Sequence, residues 1–151
     1  MTAFQILLAF HLLTAVFAIG PLAHAATTAA RGIRTGNGAA TASSARTVRI
    51  YSYASLLVIV LGFALMSLDS PFGPGKVGEF ADTWVWLSLL LWLVAIAICL
   101  GLVAPTLGKA TDRIAKQESV VALTGRVAAG GGLVGLIFAG IVFLMVYRPG
   151  G

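Results

Sequence analysis

The sequence predicts an all-α membrane protein: a bundle of four transmembrane helices in an up-down arrangement, with both termini non-cytoplasmic. Three observations lead to this prediction. Of the 151 residues, 59% are hydrophobic and only 10% are charged, whereas a soluble domain typically carries about 25% charged residues. Four long apolar runs divide the chain, and most basic residues fall in two of the connections. Residues 1–151 are therefore interpreted as a single integral membrane domain.

The four apolar runs cover residues 4–30, 50–68, 84–104 and 127–147. Crossing about 30 Å of hydrocarbon takes about 20 helical residues, which each run approaches or exceeds. Only a helix satisfies its own backbone polar groups in lipid, so each run is predicted to be helical. Ala23-His24-Ala25 resembles a signal-peptidase site, but no Lys or Arg precedes the first run and three further spans follow. A membrane helix is therefore the preferred interpretation of the first run.

The orientation is predicted from the basic residues, because cytoplasmic loops of membrane proteins carry an excess of Lys and Arg. Eight of the ten basic residues lie in two connections on one side of the membrane. They are Arg31, Arg34, Arg46 and Arg49 after the first run, and Lys109, Arg113, Lys116 and Arg126 after the third. These connections are placed in the cytoplasm and the termini outside, in the inner (plasma) membrane. The net charge of +5 then indicates topology and contact with the lipid bilayer rather than nucleic acid.

The connections and the helix breakers differ in character. Residues 35–47 are small and polar, and predict either a mobile connector or a frayed helical extension. Residues 71–75 (Pro-Phe-Gly-Pro-Gly) predict turns outside the third helix. Pro105 is expected to stop or kink the third helix, and Gly20-Pro21 is expected to curve the first or open a cavity beside it.

The fourth run carries small residues at four-residue spacing. Gly131, Gly135 and Ala139 form this stripe, and Gly132 flanks it. Small residues let the backbones of membrane helices approach closely. Glycine costs helix stability, so consecutive glycines indicate a neighbouring backbone that needs the space. The fourth helix is predicted to pack tightly, either within the bundle or between protomers.

His11 is the main candidate for chemistry, because it lies about 10 Å inside the first run at about 1.5 Å per residue. Polar residues at membrane depth mark functional sites. His11 is interpreted as a hydrogen-bonding residue between helices, as a proton carrier, or as a haem ligand with Met66 or Met145 as the second axial ligand. No Asp, Glu, Lys or Arg lies well inside a run, which argues against an ion-coupled transporter. The lone Cys99 and the absence of clustered ligands argue against zinc or iron–sulfur sites.

The chain resembles the DUF2269 family of bacterial integral membrane proteins. The resemblance rests on FHLLTAVFAIG in the first run, ARTVRIYSYASLLVIVLGFALM entering the second, WVWLSLLLWLVAIAICLGLVAPTLGK in the third and GIVFLMVYRP at the end. It covers nearly the whole chain and implies a helical membrane bundle. The chain is also distantly similar to CopD-type and HemJ-type membrane proteins. In the HemJ type an early histidine is associated with haem, and that resemblance implies a haem role for His11 alone.

Three functions remain open from the sequence. The first is a non-enzymatic subunit or assembly factor that packs against a larger membrane complex or a second copy of the chain, and it rests on the small-residue stripe and the minimal loops. The second is a haem-b-binding redox protein that uses His11. The third is a small transporter. No catalytic residue is assigned, and whether the chain is an enzyme stays open, with a non-enzymatic role favoured.

Overall fold

A computed structural model describes residues 2–71 and 75–150 of the chain. Within these ranges the protein contains four long helices: α1 (Ala3–Arg34), α2 (Gly38–Met66), α3 (Thr83–Ala115) and α4 (Val121–Tyr147). Each is long and apolar enough to cross a membrane. The described residues form no β-strand beyond one isolated bridge between Asp69 and Lys76. The prediction of an all-α chain with four candidate membrane spans is confirmed.

Each helix extends further than its apolar run at the end that carries the basic residues. The chain turns from α1 into α2 within three residues, with Gly36 at φ +61° and Asn37 capping α2 by accepting a hydrogen bond from the Ala40 amide. Such an N-cap satisfies an amide that the helix itself leaves unpaired. Residues 38–47 are therefore helical, which agrees with the helical extension and excludes the mobile connector.

The two prolines inside helices share one local geometry. Residues Ala15–Ile19 and Cys99–Val103 form π-helical segments, and Pro21 and Pro105 each follow such a segment by two residues. Proline lacks an amide and crowds the preceding turn, and a π-helical segment loosens the α-helical hydrogen-bond ladder there. Of the two alternatives expected for Pro105, a stop or a kink, the stop is excluded, because α3 continues to Ala115.

The connection between α2 and α3 lies at the opposite end of the bundle. The Ser70 amide donates to the Gly75 carbonyl at 2.8 Å, and Gly75 has φ +102°, a conformation that favours glycine. Phe72, Gly73 and Pro74, on which the predicted turns partly rest, lie outside the described residues. At this end the Arg148 guanidinium lies 5.4 Å from the centre of the Trp84 ring, within the range of a cation–π contact.

The four helices form a ring in chain order. In this ring α1 packs against α2 and α4, and α3 packs against the same two helices. The end with the α1–α2 and α3–α4 connections is called the basic end, and the other end the terminal end. Near the basic end α1 buries alanines, including Ala25, Ala26 and Ala29, together with the larger Leu22 and Ile33, whereas Phe4 and Trp84 are buried near the terminal end. Small residues let backbones approach each other, so the alanines allow close helix contact in the basic half.

Candidate functional site

His11 lies on α1 and faces α2 at Gly62. A Cβ atom at Gly62 would lie 3.3 Å from His11 Cε1 and 3.8 Å from Nδ1. Because residue 62 has no side chain, the imidazole packs directly against the α2 backbone. Nδ1 is buried and makes no hydrogen bond of good geometry, although the imidazole lies beside the Val58 backbone of α2. The ring is half-buried, so the structure places the imidazole between two helices.

The two methionines proposed as partners of His11 occupy different surroundings. Met66 lies four residues after Gly62, one turn further along the same face of α2, and is half-buried. Met145 lies on α4 and its side chain is 38% exposed. Since α1 meets α4 mainly near the basic end, Met66 is the methionine on the helix face that contacts His11. His24, the second histidine, is exposed near the basic end.

A second set of polar groups, which the sequence analysis did not identify, joins α2 to α3. The Trp92 indole Nε1 donates to Ser55 Oγ at 3.0 Å, and Ser55 Oγ donates to the Ser52 carbonyl at 2.6 Å. The Cys99 thiol lies beside the Ser52 side chain. All four residues are buried, while Ser52 Oγ itself lacks a hydrogen bond of good geometry. The sequence pattern that could have indicated this contact is the pair Ser52 and Ser55, three residues apart in an apolar run.

These polar groups are uncharged hydroxyl, thiol and indole groups. Their chemistry suits hydrogen bonds between helices, which stabilise membrane bundles modestly. The Trp92–Ser55 bond satisfies the one donor of a buried indole. Within the described ranges no group of three or more His, Cys, Asp or Glu side chains is placed to hold a metal ion.

A groove of about 430 Å³ opens on the surface between α2 and α3 at the basic end. We call it the basic groove. Its lining is Ala42, Ala45, Arg46, Arg49, Ile50, Gly108, Thr111 and Asp112. Behind it, Thr41 Oγ1 and Thr111 Oγ1 lie 2.8 Å apart and join the two helices. The predicted topology residues Arg46 and Arg49 thus also form the wall of a recess.

A second groove, of about 370 Å³, lies between α3 and α4 at the terminal end. We call it the apolar groove. It is lined by Leu87, Leu91, Gly140, Phe143, Leu144, Tyr147 and Pro149. The Phe143 and Tyr147 rings stack with their centres 6.0 Å apart and form one wall. Neither groove includes His11.

The predicted small-residue stripe of α4 divides between two surfaces. Gly131 lies against α1, where an added Cβ would overlap the Ala26 carbonyl oxygen. At Gly135 an added Cβ would lie 3.0 Å from Thr27 Cγ2. Gly132 and Ala139 are exposed, and a Cβ at Gly132 would meet no heavy atom within 4 Å. Helix α4 therefore meets α1 through Gly131 and Gly135, while the other two residues face the perimeter.

The remaining predicted topology residues are all exposed at the basic end. They are Arg31, Arg34, Lys109, Arg113, Lys116 and Arg126. Arg113 Nε lies 4.0 Å from Glu118 Oε2, and both groups are about half exposed, so the pair adds little stability.

By fold, the chain belongs to the class of helical proteins with four helices suited to repeated membrane crossing. No protein-family model, curated protein or solved structure matches it.

Proposed function

We propose that this chain is a non-enzymatic accessory subunit that packs against a larger membrane protein through its lipid-facing perimeter. The supporting observation is the location of the basic groove and the apolar groove, which open at the surface between neighbouring helices. Inside the ring, large buried side chains such as Trp92 and Phe138 fill the space between the helices. A chain whose recesses face outward is suited to receive another transmembrane segment.

The apolar groove is the surface on which the partner helix packs in this proposal. Gly140 lies in its lining, and a Cβ there would meet no heavy atom within 4 Å. A glycine in an open groove lets a second helix approach its backbone closely. The Phe143 and Tyr147 rings supply apolar contact area beside it.

The experiment compares the native-membrane complexes of two matched variants after solubilisation in a mild detergent. Gly140→Leu fills the apolar groove and is expected to release the chain from a complex larger than a single copy. Gly101→Leu is the control, because Gly101 is exposed on α3, a Cβ there meets no heavy atom within 4 Å, and it lines neither groove. A wild-type chain that migrates alone, or a complex unaffected by Gly140→Leu, would reject the proposal.

A second candidate is haem b binding at His11, and one observation favours it. The imidazole packs on Gly62 through its Cε1–Nδ1 edge and lies beside the Val58 backbone of α2. This contact holds the ring against α2 and leaves Nε2 as the nitrogen that would ligate iron, and an imidazole nitrogen is a common axial ligand of haem iron. Met66, one turn from Gly62, is the better placed of the two methionines to be a second ligand.

Absorbance of the protein purified from haem-replete cells tests this candidate. A Soret band is expected in the wild type and in the control His24→Ala, and its loss is expected in His11→Ala. A colourless, folded wild-type protein would reject haem binding. In a haem-containing preparation, Met66→Leu would shift the spectrum and Met145→Leu would leave it unchanged.

We further propose membership of the DUF2269 family and residence in the inner membrane, with both termini non-cytoplasmic. The resemblance of the four apolar runs supports the first statement. The positive-inside rule applied to the basic end supports the second.

A further inference from the structure

The basic groove combines charges of both signs that have no side-chain partner among the described residues. Arg46, Arg49 and Asp112 all line it. Among the described residues the one ion pair is Arg113–Glu118, and neither Arg46 nor Arg49 takes part in a side-chain hydrogen bond there. Two arginines and one aspartate therefore line the same recess, and the structure records no side-chain ion pair or hydrogen bond for any of the three within its described ranges.

The groove lies at the level where lipid headgroups meet the hydrocarbon. Arg49 immediately precedes the apolar run that begins at Ile50, and Gly108 follows the end of the corresponding run of α3 by four residues. A charged recess at this depth is in contact with the phosphate layer of one leaflet. Its volume of about 430 Å³ is open to the bilayer between α2 and α3.

An apolar track leads from the groove toward the middle of the bilayer. Ile50, Tyr53, Leu57 and Val60 follow Arg46 at spacings of three and four residues, so they share one face of α2. Each of the four is more than half exposed. A headgroup held in the groove would place its acyl chains along this face, which is the geometry of a phospholipid and not of a free phosphate.

The charges in the groove select among headgroups. Guanidinium groups bind phosphate through paired, charge-assisted hydrogen bonds. The carboxylate of Asp112 repels a second negative group and accepts hydrogen bonds from an ammonium group. A headgroup with one phosphate and one primary ammonium matches the lining of two positive charges and one negative charge. A trimethylated ammonium lacks the N–H donors, and a glycerol headgroup lacks the positive charge.

We propose that the basic groove is a specific binding site for phosphatidylethanolamine. Arg46 and Arg49 bind the phosphate, Asp112 accepts hydrogen bonds from the ammonium group, and Ile50 begins the surface that contacts the acyl chains. Gly108 leaves the groove open, because a Cβ at this position meets no heavy atom within 4 Å.

The test measures retained lipid on the full-length protein by native mass spectrometry, after exchange into detergent with equal amounts of phosphatidylethanolamine, phosphatidylglycerol and phosphatidylcholine. The wild type is expected to retain one phosphatidylethanolamine in preference to the other two. Arg46→Gln with Arg49→Gln is expected to lower this retention by roughly tenfold or more. Arg31→Gln with Arg34→Gln removes the same charge elsewhere at the basic end and is the matched control.

Two further variants test the headgroup assignment and the location. Asp112→Asn is expected to shift the preference from phosphatidylethanolamine toward phosphatidylglycerol by roughly fivefold, since it removes the negative charge that attracts the ammonium group and repels a second anionic group. Gly108→Leu is expected to block the groove, whereas Gly125→Leu, equally open on α4, is not. Each variant's thermal unfolding is measured in lipid-free detergent to show that it is folded.

Three results would overturn the proposal. The first is equal loss of lipid in the two double-arginine variants, which would indicate a general charge effect. The second is a wild-type preference for phosphatidylglycerol or phosphatidylcholine. The third is an unchanged headgroup preference in Asp112→Asn.

Discussion

Replacing Gly131 by alanine tests the described glycine with the least space for a side chain. The new Cβ would overlap the Ala26 carbonyl oxygen and would lie 2.7 Å from the Ala26 carbonyl carbon. Backbone atoms of a helix cannot rotate aside as a flexible side chain can, so α1 and α4 would have to separate by roughly 1 Å at this point. The substitution is therefore expected to weaken the whole contact between the two helices.

The expected change in the free energy of unfolding for Gly131→Ala follows from two opposing effects. Over-packing a well-packed interior costs about 1–3 kcal/mol, and a rigid backbone neighbour favours the upper part of this range. Alanine in place of glycine recovers up to about 1 kcal/mol of helix propensity. A net loss of about 2 kcal/mol is expected for Gly131→Ala, or about a 30-fold decrease in the folding equilibrium constant.

Gly132→Ala is the matched control, one residue further along the same helix. It has the same gain in helix propensity, and its Cβ meets no heavy atom within 4 Å. Its unfolding free energy is expected to be unchanged or raised by up to about 1 kcal/mol. Gly135→Ala is expected to lie between the two, because its neighbour, Thr27 Cγ2 at 3.0 Å, belongs to a side chain that can shift.

The assay is reversible unfolding in mixed micelles, followed by far-ultraviolet circular dichroism during titration with a denaturing detergent. The difference between Gly131→Ala and Gly132→Ala removes the propensity contribution and isolates the contact with Ala26. If the two variants unfold within about 0.5 kcal/mol of each other, a difference typical of surface substitutions, the reasoning about this contact is refuted.

Three other predictions concern the polar contact, the cysteine and the orientation. Trp92→Phe is expected to cost about 0.6–1 kcal/mol, and a double-mutant cycle with Ser55→Ala that finds no coupling would contradict the hydrogen bond. Cys99 is fully buried, so a permeant maleimide should label it only after unfolding, and fast labelling of the folded protein would count against its position. With Cys99→Ser as background, Ala39→Cys should resist an impermeant thiol reagent in intact cells and Phe80→Cys should react. The reverse pattern would invert the proposed topology.

The glycine stripe shows how far a sequence pattern reaches. A helix turns by about 100° per residue, so a four-residue step advances about 40° around the axis. Gly131 and Gly135 remain close enough to one line to face α1, but Ala139 has turned by about 80° from Gly131 and is exposed. The pattern predicts a close contact on α4. Which helix makes that contact, and how far along α4 it extends, depend on the angle at which the two helices cross.

The basic groove shows that local sequence patterns do not reveal which distant charged residues lie together in the fold. Arg46 and Arg49 were interpreted as topology residues because charge counts along the chain carry that information directly. Asp112 is 63 residues after Arg49 in the sequence, and no local pattern relates them. The register of α2 against α3, with Thr41 beside Thr111, places the three charges in one recess.

His11 was identified from its depth in the first run, because few polar residues occur there. Its neighbour could not be identified in the same way. Gly62 is one of many glycines in apolar runs, and only the packing of α1 on α2 shows that its missing Cβ accommodates the imidazole. The Trp92–Ser55 hydrogen bond was missed for the same reason, since each residue alone resembles an ordinary interfacial or small residue.

The sequence by itself determined the class of fold, because lipid requires long apolar helices whose backbone groups are satisfied internally. It also determined which end of the bundle carries the basic residues, since that depends only on their order along the chain. The tertiary structure alone decided the ring order of the helices, the contact of Gly131 with Ala26, the position of His11 against Gly62, and the basic and apolar grooves. These features depend on crossing and register between helices, and apolar runs that are similar in composition carry little information about either.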